Sequence, residues 1–298
     1  MIVMDSPSPI FMDVRTLLQT SAPRPNRAWF GYFLATGVLA IFAMAVMGNR
    51  SQQAQEAVEG LGTVTMLALL IAMTLTNYFH ARARRIELVR LEAAEELVQL
   101  RRWPQAALLL QSLLSRPTRS PLSQLRALVY FSAVLARFHR FDDVITIDEH
   151  LLETMPLDAA AQHMVKLTRA TSLLREDRLF DADRAISDLR RSPQSSESGG
   201  LALLEIYRDV KTGHPTEALE IFAKKQDLLR RQLGHRLADV YVLMAKAHDL
   251  LNQPAEAAGA YATATLLAPA VELWRRYPEI ADLAGKYPQS PAPAEVVG

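Results

Sequence analysis

The chain has 298 residues, half of them apolar, a formal net charge of +1 and no cysteine. That charge balance offers no basic face for a polyanion over the chain as a whole, and the missing thiols exclude disulfides, cysteine nucleophiles and cysteine-ligated metals. Few residues are aromatic (7%); alanine, leucine and arginine are abundant, which favours helix.

In chain order, residues 1–27 form a short basic N-terminal tail carrying Arg15, Arg24 and Arg27. Two uncharged apolar runs follow, AWFGYFLATGVLAIFAMAVMGN from Ala28 and GLGTVTMLALLIAMTLTNYF from Gly60. About 20 residues of helix cross the hydrocarbon layer, so these predict two transmembrane helices, about 28–48 and 60–79, joined by a short loop. The loop's one basic residue is Arg50, whereas Arg82, Arg84, Arg85 and Arg90 crowd behind the second run. Basic flanks stay on the cytoplasmic side, so both the N-terminus and the large C-terminal part are expected there. The same four arginines are candidates for contact with anionic lipid headgroups. Two rival readings remain open at this point: a buried helix pair of a soluble core, and a cleavable signal ending near Ala43-Met44-Ala45. Small residues at four-residue spacing (Gly31 and Ala35; Ala68, Ala72 and Thr76) form seams for packing the two spans together or for a homo-oligomer. Neither run contains the charged residue that marks an ion path.

Residues 80–285 are expected to be cytoplasmic and helical, with no strand-like alternation of any length. Between Thr63 and Trp103 there is neither proline nor glycine, so the second span is expected to continue unbroken into this domain. The helical pattern repeats itself. A small residue precedes a large one by four positions around Ala106, Val144, Ala182, Ala218 and Ala257, at spacings of 38, 38, 36 and 39. The segment SPQSSESGG, 192–200, reads as a polar loop between the third and fourth units, 271–285 as a closing helix, and 286–298 as a Pro-rich disordered tail.

The best-formed unit is VYVLMAKAHDLLNQPAEAAGAYATATLLAP, 240–269. Its Tyr241, Met244, Ala245, His248, Ala257, Tyr261, Ala264 and Pro269 resemble the signature of the tetratricopeptide repeat family. The resemblance spans roughly 87–269. Val144, Asp148 and Lys225 depart from it, and the period is longer than the one usual in that family. It implies an all-α fold: a transmembrane helical hairpin followed by a solenoid of about five helix pairs. In such a solenoid the first helix of each pair lines a concave surface, here through Val129, Ala133 and Arg137; Leu167, Thr171 and Arg175; Leu203, Tyr207 and Lys211; and Val242, Lys246 and Asp249. Arg137, Arg175, Tyr207, Lys211 and Lys246 are thus the candidate partner-binding residues, suited to a peptide with acidic character. The competing reading is that they pack against neighbouring repeats. The carboxylate clamp of chaperone-binding members does not carry over, since its slots hold Val129 and Ala133, or Leu167 and Thr171.

No nucleotide-binding, hydrolase or metalloprotease motif occurs. His139, Asp142 and Asp143, and Asp148, Glu149, His150 and Glu153, are the nearest approach to an acid–base or metal cluster; helix capping and solvent exposure account for them equally well. His248 falls on an apolar face, as a core histidine would. Arginines outnumber glutamates from His80 to Arg126, but without aromatic partners for bases nucleic acid is not expected. The expectation is a membrane-anchored, multi-pass, non-catalytic scaffold that needs no cofactor and binds protein partners at the cytoplasmic face. The alternative is a structural subunit whose spans make the main contacts within a larger membrane complex.

Overall fold

The computed structural model describes residues 13–23, 36, 37, 40, 52–193 and 198–287. The first apolar run and the tail beyond Tyr287 therefore lie outside the described residues, save for Thr36, Gly37 and Ala40. The fold is all-α, and the described residues divide into two compact units, 1–150 and 151–298.

The first unit opens with a helix inside the segment expected to be a tail. Asp13 caps it by accepting from the Thr16 amide at 3.3 Å. This helix, α1 (Val14–Ser21), buries Val14, Leu17, Leu18 and Ser21, a spacing that puts all four on one face. Ser21 and its neighbours are held from far along the chain. The Thr118 amide and hydroxyl both donate to the Ser21 carbonyl, at 3.1 and 2.9 Å, and Gln124 donates to its hydroxyl at 3.1 Å.

Next comes α2 (Gln52–Gln99), 48 residues without a break and so about 72 Å long at the usual helical rise. The absence of proline and glycine after Gly62 permits that length. Its two ends differ in character. Leu67, Leu70, Ile71, Met73, Leu75, Tyr78 and Phe79 are all exposed, pointing every way around the helix, whereas Leu91 and Ala94 are buried where α2 meets α3 (Trp103–Leu114) and α4 (Pro121–Arg137). Two tertiary ties fix that end: Glu87 accepts from the Arg119 amide at 2.9 Å, and Arg126 pairs with Glu95 at 2.9 Å. Among the described residues no helix is long and apolar enough to cross a membrane. α5 (Phe141–Thr154) completes the unit and runs past its border.

The second unit continues with α6 (Ala159–Arg175), α7 (Leu179–Arg190), α8 (Gly199–Lys211), α9 (Pro215–Leu233), α10 (Leu237–Leu250) and α11 (Pro254–Leu267). Two short helices close it, α12 (Ala270–Arg276) and α13 (Leu283–Lys286), with a 3₁₀ turn (Pro278–Ile280) between them. The single closing helix expected over 271–285 is thus three short pieces, because Pro278 cannot donate to a continuing helix.

Among the described residues five helix pairs, α2/α3, α4/α5, α6/α7, α8/α9 and α10/α11, are joined by the same turn. One residue in each has positive φ: Arg101 (57°), His139 (56°), Asp177 (55°), Gly213 (78°) and Asn252 (55°). The next residue's amide reaches back five positions, as in Arg102 to Leu97 (2.8 Å), Arg140 to Leu135 (3.1 Å), Arg178 to Leu173 (3.0 Å), His214 to Asp209 (2.8 Å) and Gln253 to His248 (3.0 Å). This is the Schellman closure of a helix C-terminus. Five positions after each positive-φ residue stands Ala106, Val144, Ala182, Ala218 or Ala257, and all five are fully buried. The sequence period is therefore a period of backbone geometry.

Two departures from the apolar pattern are compensated. Asp148, four positions after Val144, is buried and accepts from the Ser132 hydroxyl at 3.1 Å. Lys225 sits at a kink in α9 with non-helical backbone and reaches the buried carboxylate of Glu205 at 3.3 Å. The expected loop over 192–200 is shorter than its composition suggested. Gly199 and Gly200 open α8, capped by Ser198, which accepts from the Leu201 amide at 3.1 Å. Glycine serves close approach here: a Cβ on Gly200 would lie 3.0 Å from Leu167 Cδ1, and one on Gly199 3.1 Å from Gln232 Oε1.

Candidate binding groove of the second unit

The first helices of the last pairs, α8 and α10, are buried on nearly every face: Leu201 through Tyr207 on α8, and Val242 through Ala245 on α10, are all inaccessible. A helix enclosed by its own hairpin and the next would leave one face to solvent. Here that face is covered by the chain's own residues 277–287.

The cover is held chiefly by the residues that the sequence marked as partner-binding. The Arg175 guanidinium, at the end of α6, lies over two rings at once, 4.7 Å from the centroid of Tyr207 and 4.4 Å from that of Tyr277. Those rings meet edge to face, 5.2 Å apart at 79°, the arrangement their quadrupoles favour. Tyr207 is buried and donates its hydroxyl to Glu279 Oε1 at 2.9 Å. Lys211 lies 3.2 Å from the same oxygen and 2.8 Å from Asp177, with only 11% of its side chain exposed. One helix on, Lys246 donates to both carboxylate oxygens of Asp282, at 2.9 and 3.0 Å. Asp249 completes the row, accepting from Lys286 at 2.7 Å and from the Tyr287 hydroxyl at 3.1 Å. Apolar side chains lie beneath these pairs; Leu273, Ile280 and Leu283 are fully buried.

The electrostatics follow from this packing. Burial pushes the Glu279 carboxyl up, but its own backbone, the Tyr207 hydroxyl and Lys211 outweigh it and hold the group below the usual carboxylate range. Burial likewise raises Asp282, and Lys246 and Lys286 overcome it. Tyr207 and Tyr277 are both pushed up by loss of water, so both stay neutral donors. Glu279 Oε2 is buried without a hydrogen-bond partner.

Of the five candidates, Arg175, Tyr207, Lys211 and Lys246 come together in this groove. Tyr207 lies buried beneath the segment instead of on an open surface. Arg137 belongs to the first unit, exposed at the end of α4, with its guanidinium 4.9 Å above the ring of Trp103. On that helix Val129 and Ala133 are exposed as well. Arg82, Arg84, Arg85 and Arg90 are all exposed on α2, directly after its apolar stretch. His139 occupies the left-handed turn position, with its ring edge-on to Phe141 at 5.7 Å. His248 is half-buried and bonds Gln253 at 2.7 Å, closing its own hairpin instead of sitting in the core. Among the described residues no three His, Asp or Glu converge as they would around a metal ion.

Sequence reasoning missed the acidic half of the groove. Tyr277, Glu279 and Asp282 were read only as part of a cap, although an aromatic residue followed by acids two and five positions on mirrors the cations facing them. No family model, curated protein or solved structure matches the chain.

Proposed function

We propose that the chain is a membrane-anchored scaffold of tetratricopeptide-like repeats, non-catalytic, which gathers protein partners at the cytoplasmic face of a bilayer. The observation that carries this reading is α2. One helix holds an apolar stretch exposed on all sides at one end and forms the first member of the five hairpins at the other. In water such a stretch is a liability, whereas hydrocarbon suits it; its described part alone is too short to cross, and the uncharged run from Gly60 that contains it supplies the length. The hydroxyls of Thr74 and Thr76 suit that medium, donating to the carbonyls of Leu70 and Ala72 at 2.8 and 2.7 Å.

The orientation has support independent of charge. α1 precedes both apolar runs and docks on the segment around Leu114, Thr118 and Gln124, which follows both. That docking supports a topology in which both ends of the intervening chain lie on one side, as two crossings would leave them. The four exposed arginines behind Phe79 make that side the cytoplasmic one. In the first unit the exposed Val129, Ala133 and Arg137 offer partners an open first-helix face.

Since the chain lacks cysteine, single cysteines report topology cleanly. Gln55→Cys, at the start of α2 between the two apolar runs, should react with a membrane-impermeant maleimide on intact cells, and Ser192→Cys only after permeabilisation. Labelling of Ser192→Cys on intact cells would overturn the reading. A photo-crosslinking probe at Ala133 should then yield a discrete protein adduct. The alternative, a structural subunit working through its spans, draws on the exposure of Ala72 one turn before Thr76. It predicts an adduct from a probe at Ala72 and none from Ala133.

A further inference from the structure

We propose that the groove across α6, α8 and α10 is a peptide-binding site whose resident ligand is the chain's own segment 277–287. The partner it fits is a protein segment carrying an aromatic residue followed by acids two and five positions on. The inference rests on the scaffold reading and adds to it the chemistry of the partner and the competition that regulates access.

The resident segment defines that chemistry through three pockets on three successive first helices. An aromatic slot is made by Arg175, which lies over the Tyr277 ring, and Tyr207, whose ring meets that of Tyr277 at a steep angle. A first acid site is made by the Tyr207 hydroxyl and the Lys211 ammonium, both directed at Glu279 Oε1. A second is made by Lys246, which takes both oxygens of Asp282. Arg175 and Lys211 stand seven positions before the buried anchors Ala182 and Ala218 and so recur with the repeat; Lys246, one turn earlier in its own helix, extends them into a row that an extended ligand can follow.

Two features mark the occupant as exchangeable. Its regular structure is one 3₁₀ turn of three residues and one helix of four, neither of which stands without the groove. Its fit is also incomplete, because Glu279 Oε2 is buried with no partner. A competing carboxylate that satisfies both oxygens gains where the resident does not. Tethering gives the resident a high effective concentration, so a partner must match the three pockets to displace it.

The test uses the full-length chain in detergent micelles and a fluorescent peptide of residues 272–287. Wild-type protein should bind the peptide weakly, because its groove is filled. The double variant Glu279→Lys/Asp282→Lys, which repels its own segment, should bind it at least tenfold more tightly. Adding Lys211→Glu/Lys246→Glu should abolish that gain, because the reversed groove repels the peptide and again holds its own, equally reversed segment. Equal, weak binding by wild type and the folded double variant would overturn the proposal and make the segment a fixed cap. Should the double variant not fold, hydrogen exchange on wild type decides. Amides of 277–287 exchanging at least tenfold faster than those of α10 support release, and exchange at the rate of α10 overturns it. A chain that labels as a cytoplasm-facing membrane protein yet ignores the peptide defeats the groove alone, leaving the scaffold reading to its own test.

Discussion

Four of the five hairpin turns place an L-residue where glycine is at ease. A left-handed backbone costs about 1–2 kcal/mol for most side chains, and less for asparagine and aspartate. Asp177 and Asn252 suit the position, whereas Arg101 and His139 are strained there. Replacing either of the latter by glycine relieves that strain but loosens the unfolded chain, which offsets about 0.5–1 kcal/mol. Arg101→Gly and His139→Gly should each raise the melting temperature by a few degrees, and Gly213→Ala should lower it, as followed by circular dichroism. A second residue gives a pH signature. His163 is buried with Nε2 2.9 Å from the Ser198 hydroxyl and Nδ1 without a partner; burial and then Lys166 lower its pKa below the usual 6.5. The unfolded chain therefore binds a proton that the folded chain resists, so this stability is whole above about pH 6.5 and lost as pH falls toward the folded value. Denaturant midpoints measured from pH 7.5 to 5 should decline, and His163→Gln should flatten the decline. Residue by residue, the repeat was legible because small anchors and their spacing are written in side chains. The positive φ angles were not, since only Gly213 announces itself.

Among the elements, α1 was the one hidden in plain text. Its Asp13 cap and the spacing of Val14, Leu17 and Leu18 are the ordinary signature of an amphipathic helix, overlooked because the segment is short and precedes an apolar run. Its contacts lie 94 to 103 residues away in sequence, and periodicity carries no information about such partners. Leu17 is 1% exposed, so Leu17→Ala should cost about 2–5 kcal/mol and raise hydrogen exchange through α1 and the Leu114–Gln124 region together. The C-terminal segment escaped sequence reasoning for a related reason. Its acids read as a solvated cap, and only the fold brings Glu279 to Lys211 and Asp282 to Lys246. Through the same closure the cations expected to face an acidic peptide face acids of the chain's own segment, and Tyr207, expected on an open surface, lies buried. Gly199 and Gly200 misled in the opposite direction: a Gly-Gly pair beside serines reads as loop, and here it admits Leu167 and Gln232 against a helix.

At the scale of the molecule, the proposed anchoring would make α2 a helical junction between bilayer and domain instead of a tether. Leu70 and Leu88 are both exposed and stand five helical turns apart, so neither resists a spin label. The pair should report a single narrow distance of about 27 Å, the length that five turns of unbroken helix span. A broad distribution would mean a hinge near Arg84.

The docked α1 has a consequence for biosynthesis. During translation α1 emerges first, yet the strip that receives it, from Leu114 to Gln124, is completed only after both apolar runs have been made. Under the proposed topology, a chain threaded across the bilayer once would strand α1 on the far side and leave its apolar berth uncovered. Only a chain that has crossed and returned can close the first unit. If the proposed topology holds, completion of that fold would report on insertion, since a misthreaded copy would be left with an unfinished first unit.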